Sequence, residues 1–252
     1  MTLAKRIIPC LDIKDGKTVK GVQFEGLRDM GDPVALAAYY AEQGADELVL
    51  LDITATHEKR KTLASLVARV ALAIDIPFTV GGGISSPDDV RRLLEAGADK
   101  ISLNSAALRD PDLVGAAALA FGSQCVVLAV DTKMEAGDWY VYSNGGREAT
   151  GRLTRDWVRE AVARGAGEIL LTAINRDGTR SGFALDHTRH IAEAVTVPVI
   201  ASGGAGNKEH FLEVFTEGAA DAALAAGIFH EKILALPELK QYLKTSGIAV
   251  RT

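Results

Sequence analysis

The sequence predicts an α/β protein: a (β/α)8 TIM barrel built from two duplicated (β/α)4 halves. Strand-like and helix-like segments alternate eight times along the chain. The 252 residues match the roughly 250 that are typical of this fold. The second half of the chain also repeats the first, at an offset that drifts only from 119 to 122 positions. We therefore expect residues 1–252 to form a single domain, with half-barrel repeats at about 1–121 and 122–252.

The offset is defined by residues at the ends of predicted elements. The corresponding pairs are Asp12 with Asp131, Asp52 with Thr172, Gly82 with Gly203, and Asp99 with Asp221. A duplication of four β/α units explains both the repeat and the length of the chain.

The strands of the first half are short apolar runs without alternation, which suit parallel strands covered on both faces. We expect them at Arg6–Asp12, Glu47–Asp52, Pro77–Val80 and Lys100–Asn104. The helices follow caps such as Asp32 before Pro33, and glycines such as Gly44 end them. We expect helices at Pro33–Gln43, Lys59–Ala73, Pro87–Glu95 and Asp110–Ala120, and a long loop at Lys14–Gly31.

The second half repeats this order, with one insertion. We expect strands at Cys125–Asp131, Glu168–Thr172, Pro198–Ser202 and Asp221–Ala226. The predicted helices are Arg155–Arg164, Asp186–Ala194, Lys208–Glu217 and Pro237–Lys244. The insertion, Trp139–Thr150, contains Asn-Gly and predicts a small hairpin after the fifth strand.

Composition excludes several classes of protein. The net charge of −5 and the pI near 5.6 argue against nucleic-acid and acidic-membrane binding. Without a signal-peptide pattern or a membrane-length apolar window, we expect a soluble, cytoplasmic protein. Cys10 and Cys125 are expected to be reduced core residues. We find no metal-ligand pattern or nucleotide fingerprint and expect neither metal nor cofactor, with His187 and His190 on a helix surface.

Two aspartates are the candidates for catalysis. Asp12 and Asp131 end the first and fifth strands, which lie opposite each other in an eight-stranded ring. They would flank a substrate as general acid and general base, and a partly dry barrel mouth would raise a carboxyl pKa. The alternative is a structural role in helix capping or in pairing with Lys14 or Lys133. Asp52 ends the second strand and is a weaker candidate.

Glycine-ended strands predict two phosphate sites. Gly82 and Gly83 follow the third strand, Gly203 and Gly204 follow the seventh, and glycines there allow backbone N–H groups to approach an anion. Small residues after the next strands would complete each site, and tight turns are the alternative. The predicted substrate-binding set is Lys20, Gly82, Gly83, Asn104, Thr172, Asp177, Gly178, Ser202, Gly203, Gly204, Ala226 and Gly227. A substrate with a phosphate at each end follows from the two sites.

Two members of this set belong to segments with open alternatives. The segment 175–182, which contains Asp177 and Gly178, would cover a phosphate or ribose, or else form only a polar loop. Lys20 would reach a phosphate from a mobile first loop, or else be solvated.

Charged residues also stand at four strand starts. They are Arg6, Glu47, Lys100 and Glu168. Most strand starts are simply solvated. If the four side chains point inward, they form a ring of alternating charge at the bottom of the barrel. Burying these charges costs free energy unless they are paired, or unless the ring serves as a gate.

Six motifs together resemble the cyclase subunit of imidazole glycerol phosphate synthase. They are Ile-Ile-Pro-Cys-Leu-Asp-Ile-Lys-Asp-Gly (7–16), Leu-Leu-Asp-Ile-Thr-Ala (50–55), Phe-Thr-Val-Gly-Gly-Gly-Ile (78–84), Gly-Glu-Ile-Leu-Leu-Thr (167–172), Asp-Gly-Thr-Arg-Ser-Gly (177–182) and Ala-Ser-Gly-Gly-Ala-Gly (201–206). The resemblance covers essentially the whole chain, and the segment 24–29 of the first loop also looks like this family.

The resemblance implies a reaction and a partner. The family joins ammonia from a glutaminase partner to phosphoribulosyl-formimino-aminoimidazole carboxamide ribonucleotide. It releases imidazole glycerol phosphate and aminoimidazole carboxamide ribonucleotide. Asp12 and Asp131 match its catalytic aspartates, Lys20 its loop lysine, and the glycine groups its phosphate sites. The four strand-start charges match its ammonia gate, with the partner docked at the strand-start face in a heterodimer.

Two alternatives stay open from the sequence. One is the sister isomerase of the same pathway, whose second strand usually ends in Asp-Leu-Asp-Gly rather than the Asp-Ile-Thr-Ala of residues 52–55. The other is a non-catalytic barrel that serves as a binding or scaffolding subunit.

Overall fold

The protein folds as a closed barrel of parallel strands with helices between them. The computed structural model describes residues 3–22, 25–53 and 60–251. The strands in this part of the chain are β1 (Arg6–Lys14), β2 (Lys17–Val22), β3 (Glu25–Gly31), β4 (Leu48–Asp52), β5 (Phe78–Gly81), β6 (Lys100–Leu103), β7 (Val126–Glu135), β8 (Asp138–Ser143), β9 (Glu148–Leu153), β10 (Glu168–Ala173), β11 (Val199–Ser202) and β12 (Ala222–Ala225).

The described helices lie between the barrel strands and after the last one. They are α1 (Pro33–Glu42), α2 (Arg60–Ala71), α3 (Pro87–Glu95), α4 (Ser105–Arg109), α5 (Asp112–Phe121), α6 (Thr154–Arg164), α7 (Leu185–Ala194), α8 (Lys208–Thr216), α9 (Gly227–His230) and α10 (Leu236–Thr245). Side-chain caps begin several of them. Asp32 accepts a hydrogen bond from the Ala35 amide, and Ser86 accepts one from the Asp89 amide. None of the described helices is long and apolar enough to cross a membrane.

Eight strands form the ring in the order β1–β4–β5–β6–β7–β10–β11–β12, and β12 pairs with β1 to close it. All neighbours in the ring are parallel. This confirms the predicted barrel. Each half carries a hairpin after its first strand, β2–β3 and β8–β9, and a short helix after its fourth, α4 and α9. That correspondence supports the predicted duplication.

Two apolar clusters build the core. The larger one lies between the barrel and its helices and includes Leu48, Leu50, Val80 and Leu128. The smaller one fills the inside of the barrel and contains Ile8, Cys10, Val49, Val127, Leu170, Ile200, Ala222 and Leu224. Because successive side chains of a strand point to opposite faces, this inner cluster identifies which residues of each strand face the barrel axis.

Several sequence expectations need correction. Residues 14–31 are not one long loop, because most of them form the antiparallel hairpin of β2 and β3. The fifth barrel strand does not end at Asp131, because β7 continues to Glu135 by pairing with β8. The short helices α4 and α9 were not predicted. Cys125 is only half-buried, since it lies in a 3-10 turn before β7.

Candidate active site

Asp12 and Asp131 lie at the mouth of the barrel on opposite strands. Ile8 and Cys10 belong to the inner cluster, so Asp12, two residues further along β1, also faces the axis. Asp131 follows Val127 and the partly buried Ala129 on β7 in the same way. In the ring, β1 and β7 are separated by three strands in either direction. The two carboxylates therefore approach the mouth from opposite sides.

Asp131 is partly buried and is held by a neighbouring amide. Asn104, directly after β6, donates a hydrogen bond from Nδ2 to Oδ2 of Asp131 at 3.0 Å. Burial raises the pKa of Asp131 to about 6, the Asn104 hydrogen bond opposes this rise, and the nearby charge of Asp177 adds to it. The carboxyl can therefore change its protonation state close to neutral pH.

The carbonyl oxygen of Asn104 is a vacant acceptor beside Asp131. Oδ1 is buried and has no hydrogen-bond partner among the described residues. A buried acceptor without a partner is costly, and a substrate N–H or O–H would satisfy it. On the other aspartate, the Cys10 Sγ lies 3.8 Å from Oδ1 of Asp12, and Asp12 itself is 8% exposed.

The two glycine loops have a backbone that only glycine accepts. Gly82 has φ of +102°, and a Cβ there would lie 2.1 Å from the Asp52 carbonyl oxygen. Gly204 has φ of +106°, and its Cβ would lie 2.1 Å from the Gly182 carbonyl oxygen. Gly82 and Gly204 are therefore needed for tight turns, whether or not the loops also bind phosphate. Gly83 of the first loop is exposed, whereas Gly203 and Gly204 of the second are buried, so phosphate binding at these turns stays a prediction.

Each glycine loop is followed in the ring by a short helix at the next strand. The helix α4 begins directly after Asn104, and α9 begins directly after Ala226, 122 positions later. Gly227 is the first residue of α9. The predicted binding residues thus lie at equivalent places in the two halves of the barrel mouth.

The segment 175–182 packs against the second glycine loop. The Gly182 amide donates to the Gly204 carbonyl at 2.9 Å. Within the segment, Thr179 Oγ1 donates to the Arg176 carbonyl at 2.7 Å. The segment therefore lies beside Gly204, and the charge of its Asp177 acts on Asp131; whether it covers a phosphate or ribose or is only a polar loop stays a prediction.

Four other predicted binding residues are placed as follows. Thr172 lies on β10, on the same face as the inner-cluster residue Leu170, and Ser202 is nearly buried at the end of β11. Gly178 lies in the segment 175–182 with φ of +73°. Lys20 lies on β2, and its side chain is outside the part of the chain that the structure describes.

At the opposite end of the barrel, the four strand-start charges form a closed ring. Arg6 contacts Glu47 at 2.7 Å and Glu168 at 2.6 Å. Lys100 contacts Glu47 at 3.1 Å and Glu168 at 2.8 Å. The side chains are 6–19% exposed. Burial lowers the pKa of Arg6, but the two glutamates outweigh it and raise the pKa overall. The ring is paired, not simply solvated.

The ring and the mouth are joined by inward-facing rows of side chains. Because side chains alternate along a strand, Arg6 lies on the same face of β1 as Asp12. Lys100 lies on the same face of β6 as Ser102, two residues before Asn104, and Glu168 lies on the same face of β10 as Thr172. The charged ring is therefore one end of the barrel interior, and the two aspartates are at the other.

Aspartates fix the strands next to the ring. Asp46 accepts a hydrogen bond from the Ile7 amide at 2.8 Å and one from Lys240 at 2.9 Å. Asp99 accepts one from the Phe78 amide at 3.0 Å. Glu47 and Lys100 of the charged ring directly follow these two aspartates in the chain. The hydrogen bonds therefore fix the position of the ring along the barrel axis.

Two histidines are buried although the sequence did not predict it. His187 is not on the helix surface: its ring stacks on Trp139 at 4.0 Å and 9°, and burial lowers its pKa to about 3, with His190 adding to the effect. His230 bonds the Tyr40 hydroxyl at 2.7 Å and the Cys10 carbonyl at 2.9 Å. Neither contact has a local sequence signal, because each joins residues far apart in the chain.

Comparison with known proteins gives a consistent result. The family described as "Histidine biosynthesis protein" matches residues 6–235. Imidazole glycerol phosphate synthase subunit HisF of Geobacillus thermodenitrificans is 59% identical over 251 residues, covering 99% of this chain and 100% of that protein. The HisF subunits of Cytophaga hutchinsonii (59% over 249 residues, 99% of each chain) and Bacillus pumilus (58% over 251 residues, 99% of this chain and 100% of that protein) are similarly related.

Proposed function

The chain belongs to the histidine biosynthesis family, as a cyclase subunit (HisF) of imidazole glycerol phosphate synthase, and on that premise we propose that Asp12 and Asp131 carry its chemistry. The protein is an enzyme of the lyase/cyclase class that acts in histidine biosynthesis. The relatives named above are all HisF subunits, so the isomerase and scaffold alternatives are set aside.

The observation that carries the proposal is the position of the two aspartates. They face the barrel axis from opposite strands, and a glycine loop lies in each half of the mouth between them. We propose that a substrate with two phosphates spans the mouth, with one phosphate at Gly82, Gly83 and Asn104. The other phosphate binds at Gly203, Gly204, Ala226 and Gly227. The reacting centre then lies between the carboxylates.

The proposed substrate is phosphoribulosyl-formimino-aminoimidazole carboxamide ribonucleotide, with ammonia as the second reactant. Ammonia adds to the ribulosyl carbonyl, whose oxygen leaves as water. The new nitrogen then bonds to the formimino carbon, the bond from that carbon to aminoimidazole carboxamide ribonucleotide breaks, and the ring of imidazole glycerol phosphate is closed. Adding ammonia requires a base that removes a proton from the nitrogen once it has bonded to carbon. Expelling the ribonucleotide requires an acid that donates a proton to the nitrogen of the leaving group.

We assign the proton acceptor to Asp131. Its pKa of about 6 leaves the carboxyl group mostly deprotonated at neutral and mildly alkaline pH. Because this pKa is also close to neutral pH, the group can accept a proton and later return it. Asp12, on the opposite side of the mouth, is then the proton donor to the leaving ribonucleotide. The vacant Asn104 Oδ1 would accept a hydrogen bond from an N–H group held near Asp131.

The relatives are named as subunits, so this chain is one part of a larger enzyme. We propose that its partner is a glutaminase that docks on the strand-start face as a heterodimer and delivers ammonia through the ring of Arg6, Glu47, Lys100 and Glu168. A cytoplasmic location stays a prediction from the sequence.

Exposed leucines support this choice of docking face. Helices that alternate with parallel strands end at the level of the strand starts. Leu72 directly follows α2 and is 90% exposed, Leu119 lies in the last turn of α5 and is 91% exposed, and Leu3 precedes β1 and is 88% exposed. Large exposed apolar side chains around a buried charged ring are typical of a surface that another protein covers.

The experiment is turnover of the bisphosphate substrate by the purified chain with ammonium chloride. We expect both imidazole glycerol phosphate and the carboxamide ribonucleotide to form, and no reaction when glutamine replaces ammonium. Turnover of the unrearranged aldose precursor alone would instead indicate an isomerase, and no reaction with either compound would contradict both enzyme assignments.

A further inference from the structure

One carboxylate at the barrel mouth joins two arginines from different parts of the chain. Glu231 Oε1 accepts a hydrogen bond from Arg28 Nη2 at 2.8 Å, and its Oε2 accepts one from Arg180 Nη2. Glu231 is 27% exposed at its side chain, less than either arginine. Hydrogen bonding to Arg180, ahead of the bond to Arg28, lowers the pKa of Glu231, so it stays charged at neutral pH.

The three residues come from three elements of the proposed site. Arg28 lies on β3, in the hairpin after the first barrel strand. Arg180 lies in the segment 175–182, where its carbonyl oxygen would be 2.2 Å from a Cβ placed on Gly206, just beyond the second glycine loop. Glu231 follows α9 directly, and α9 begins with the predicted phosphate residue Gly227. The ion pairs therefore connect the first hairpin to the second phosphate site.

The connection bears directly on Lys20. In the hairpin, Lys20 of β2 is the cross-strand partner of Arg28 on β3. Fixing Arg28 against Glu231 therefore also fixes the backbone from which Lys20 extends. A change at Glu231 would move or loosen the hairpin at this position.

Charge at this cluster suits an anion. One carboxylate balances only one of the two guanidinium groups, so the cluster carries one net positive charge beside the second glycine loop. A phosphate held there would be attracted, and the tether would not need to break for it to bind.

We propose that Glu231 is a positioning residue for the cyclase reaction, because it ties the first hairpin, and with it Lys20, to the second phosphate site through Arg28 and Arg180. This inference rests on the proposed function. Exposed ion pairs normally contribute little to overall stability. Here the pair joins a two-stranded hairpin to the barrel, so its effect is expected in the mobility of the hairpin and in substrate binding.

The test compares Glu231→Gln, Arg28→Met and the double variant. Substrate KM with ammonium should rise about two- to five-fold in each single variant, while kcat stays within about two-fold of the unmodified enzyme. The double variant should be no worse than the poorer single variant, because both changes break the same contact. Lys17→Met is the matched control, since it breaks the Lys17–Asp29 pair within the same hairpin without touching the tether.

A second readout does not depend on activity. Amide hydrogen exchange of β2 and β3 should speed up in Glu231→Gln and Arg28→Met but not in Lys17→Met, with α8 and α10 unchanged. Unchanged exchange, or KM effects that add in the double variant, would overturn the role of Glu231. If the unmodified enzyme shows no turnover, the proposed function fails, and the exchange result alone then decides whether the tether exists.

Discussion

Asn104 donates a hydrogen bond to Asp131, and the residue at the equivalent position beside Asp12 is Ala226. Asn104 directly follows β6, which is next to β7, and the residue 122 positions later, directly after β12 and next to β1, is Ala226. A methyl group cannot donate a hydrogen bond. The two aspartates therefore occupy matching places in the barrel with different surroundings, which is what two carboxyl groups need to perform different proton transfers.

The Asn104–Asp131 bond predicts a change in pH dependence. The bond opposes the effect of burial on the Asp131 pKa, so Asn104→Ala should move the acidic limb of the kcat profile upward by about one pH unit. The measurement is kcat against pH at a fixed concentration of unprotonated ammonia, so that the ionisation of ammonium does not shape the curve. Ser105→Ala is the control, because it removes a bond to the Asn144 amide and leaves Asn104 in place. An unmoved limb in Asn104→Ala would contradict the assignment of Asp131 as the base.

Asp131 should also lower the stability of the fold at neutral pH. Its pKa is about 6 in the folded protein and near 3.8 when unfolded, so the folded state binds more protons between these values. The contribution of Asp131 to the free energy of unfolding is therefore fully present below about pH 4 and is lost as the pH rises through 6. Asp131→Asn should raise the free energy of unfolding by about 1 to 3 kcal/mol at pH 7, and this gain should disappear near pH 4. A gain of the same size at both pH values would show that the titration of Asp131 is not its cause.

The charged ring should be sensitive to loss of one member. Lys100→Met leaves two largely buried glutamates facing Arg6 alone, and we expect a loss of about 2 to 4 kcal/mol in unfolding free energy. If the ring also gates ammonia, glutamine-dependent turnover of the complex should change more than ammonium-dependent turnover of the isolated chain. Lys100→Arg keeps the charge and should lie closer to the unmodified enzyme in both assays. Equal effects of Lys100→Met on the two activities would contradict a gating role and indicate that the charged ring is only structural.

His187 should make the protein acid-sensitive. Its pKa of about 3 lies below the unfolded value of 6.5, so the unfolded state binds the extra proton and stability decreases as pH decreases below 6.5. The loss should reach about 2 to 3 kcal/mol at pH 4.5. His187→Phe keeps a ring against Trp139 and should remove most of this dependence, as measured by denaturant unfolding at pH 7 and pH 4.5. His190→Phe, at the exposed neighbour, should not.

The sequence predicted most elements because their boundaries are encoded locally. The helix α3 begins and ends as predicted, since Ser86 and Pro87 begin it and Gly97 follows its end. The hairpin of β2 and β3 was missed because glycines and mixed charges there resemble a loop. The predicted fifth strand ended at Asp131, four residues too early, because β7 continues only by pairing with β8 and that pairing has no signal within the strand itself.

The site was predicted only in part for the same reason. The aspartates and glycines could be found because they recur at a constant offset in strand ends. The Asn104–Asp131 bond, the His187–Trp139 stack and the Glu231 tether join residues that are 27 or more positions apart, and only the closed barrel brings them together. The proposed roles of Asp131 and Glu231 in the reaction stay predictions.

The most direct test of the account is ammonium-dependent turnover of the bisphosphate substrate by Asp12→Asn and Asp131→Asn. We predict that each variant loses about 10²- to 10⁴-fold in kcat while its far-UV circular dichroism is unchanged and its thermal unfolding stays cooperative. Asp156→Asn, the same substitution on the outer helix α6, should keep full activity. Full activity in either of the first two variants would contradict the claim that these two carboxylates perform the acid and base steps.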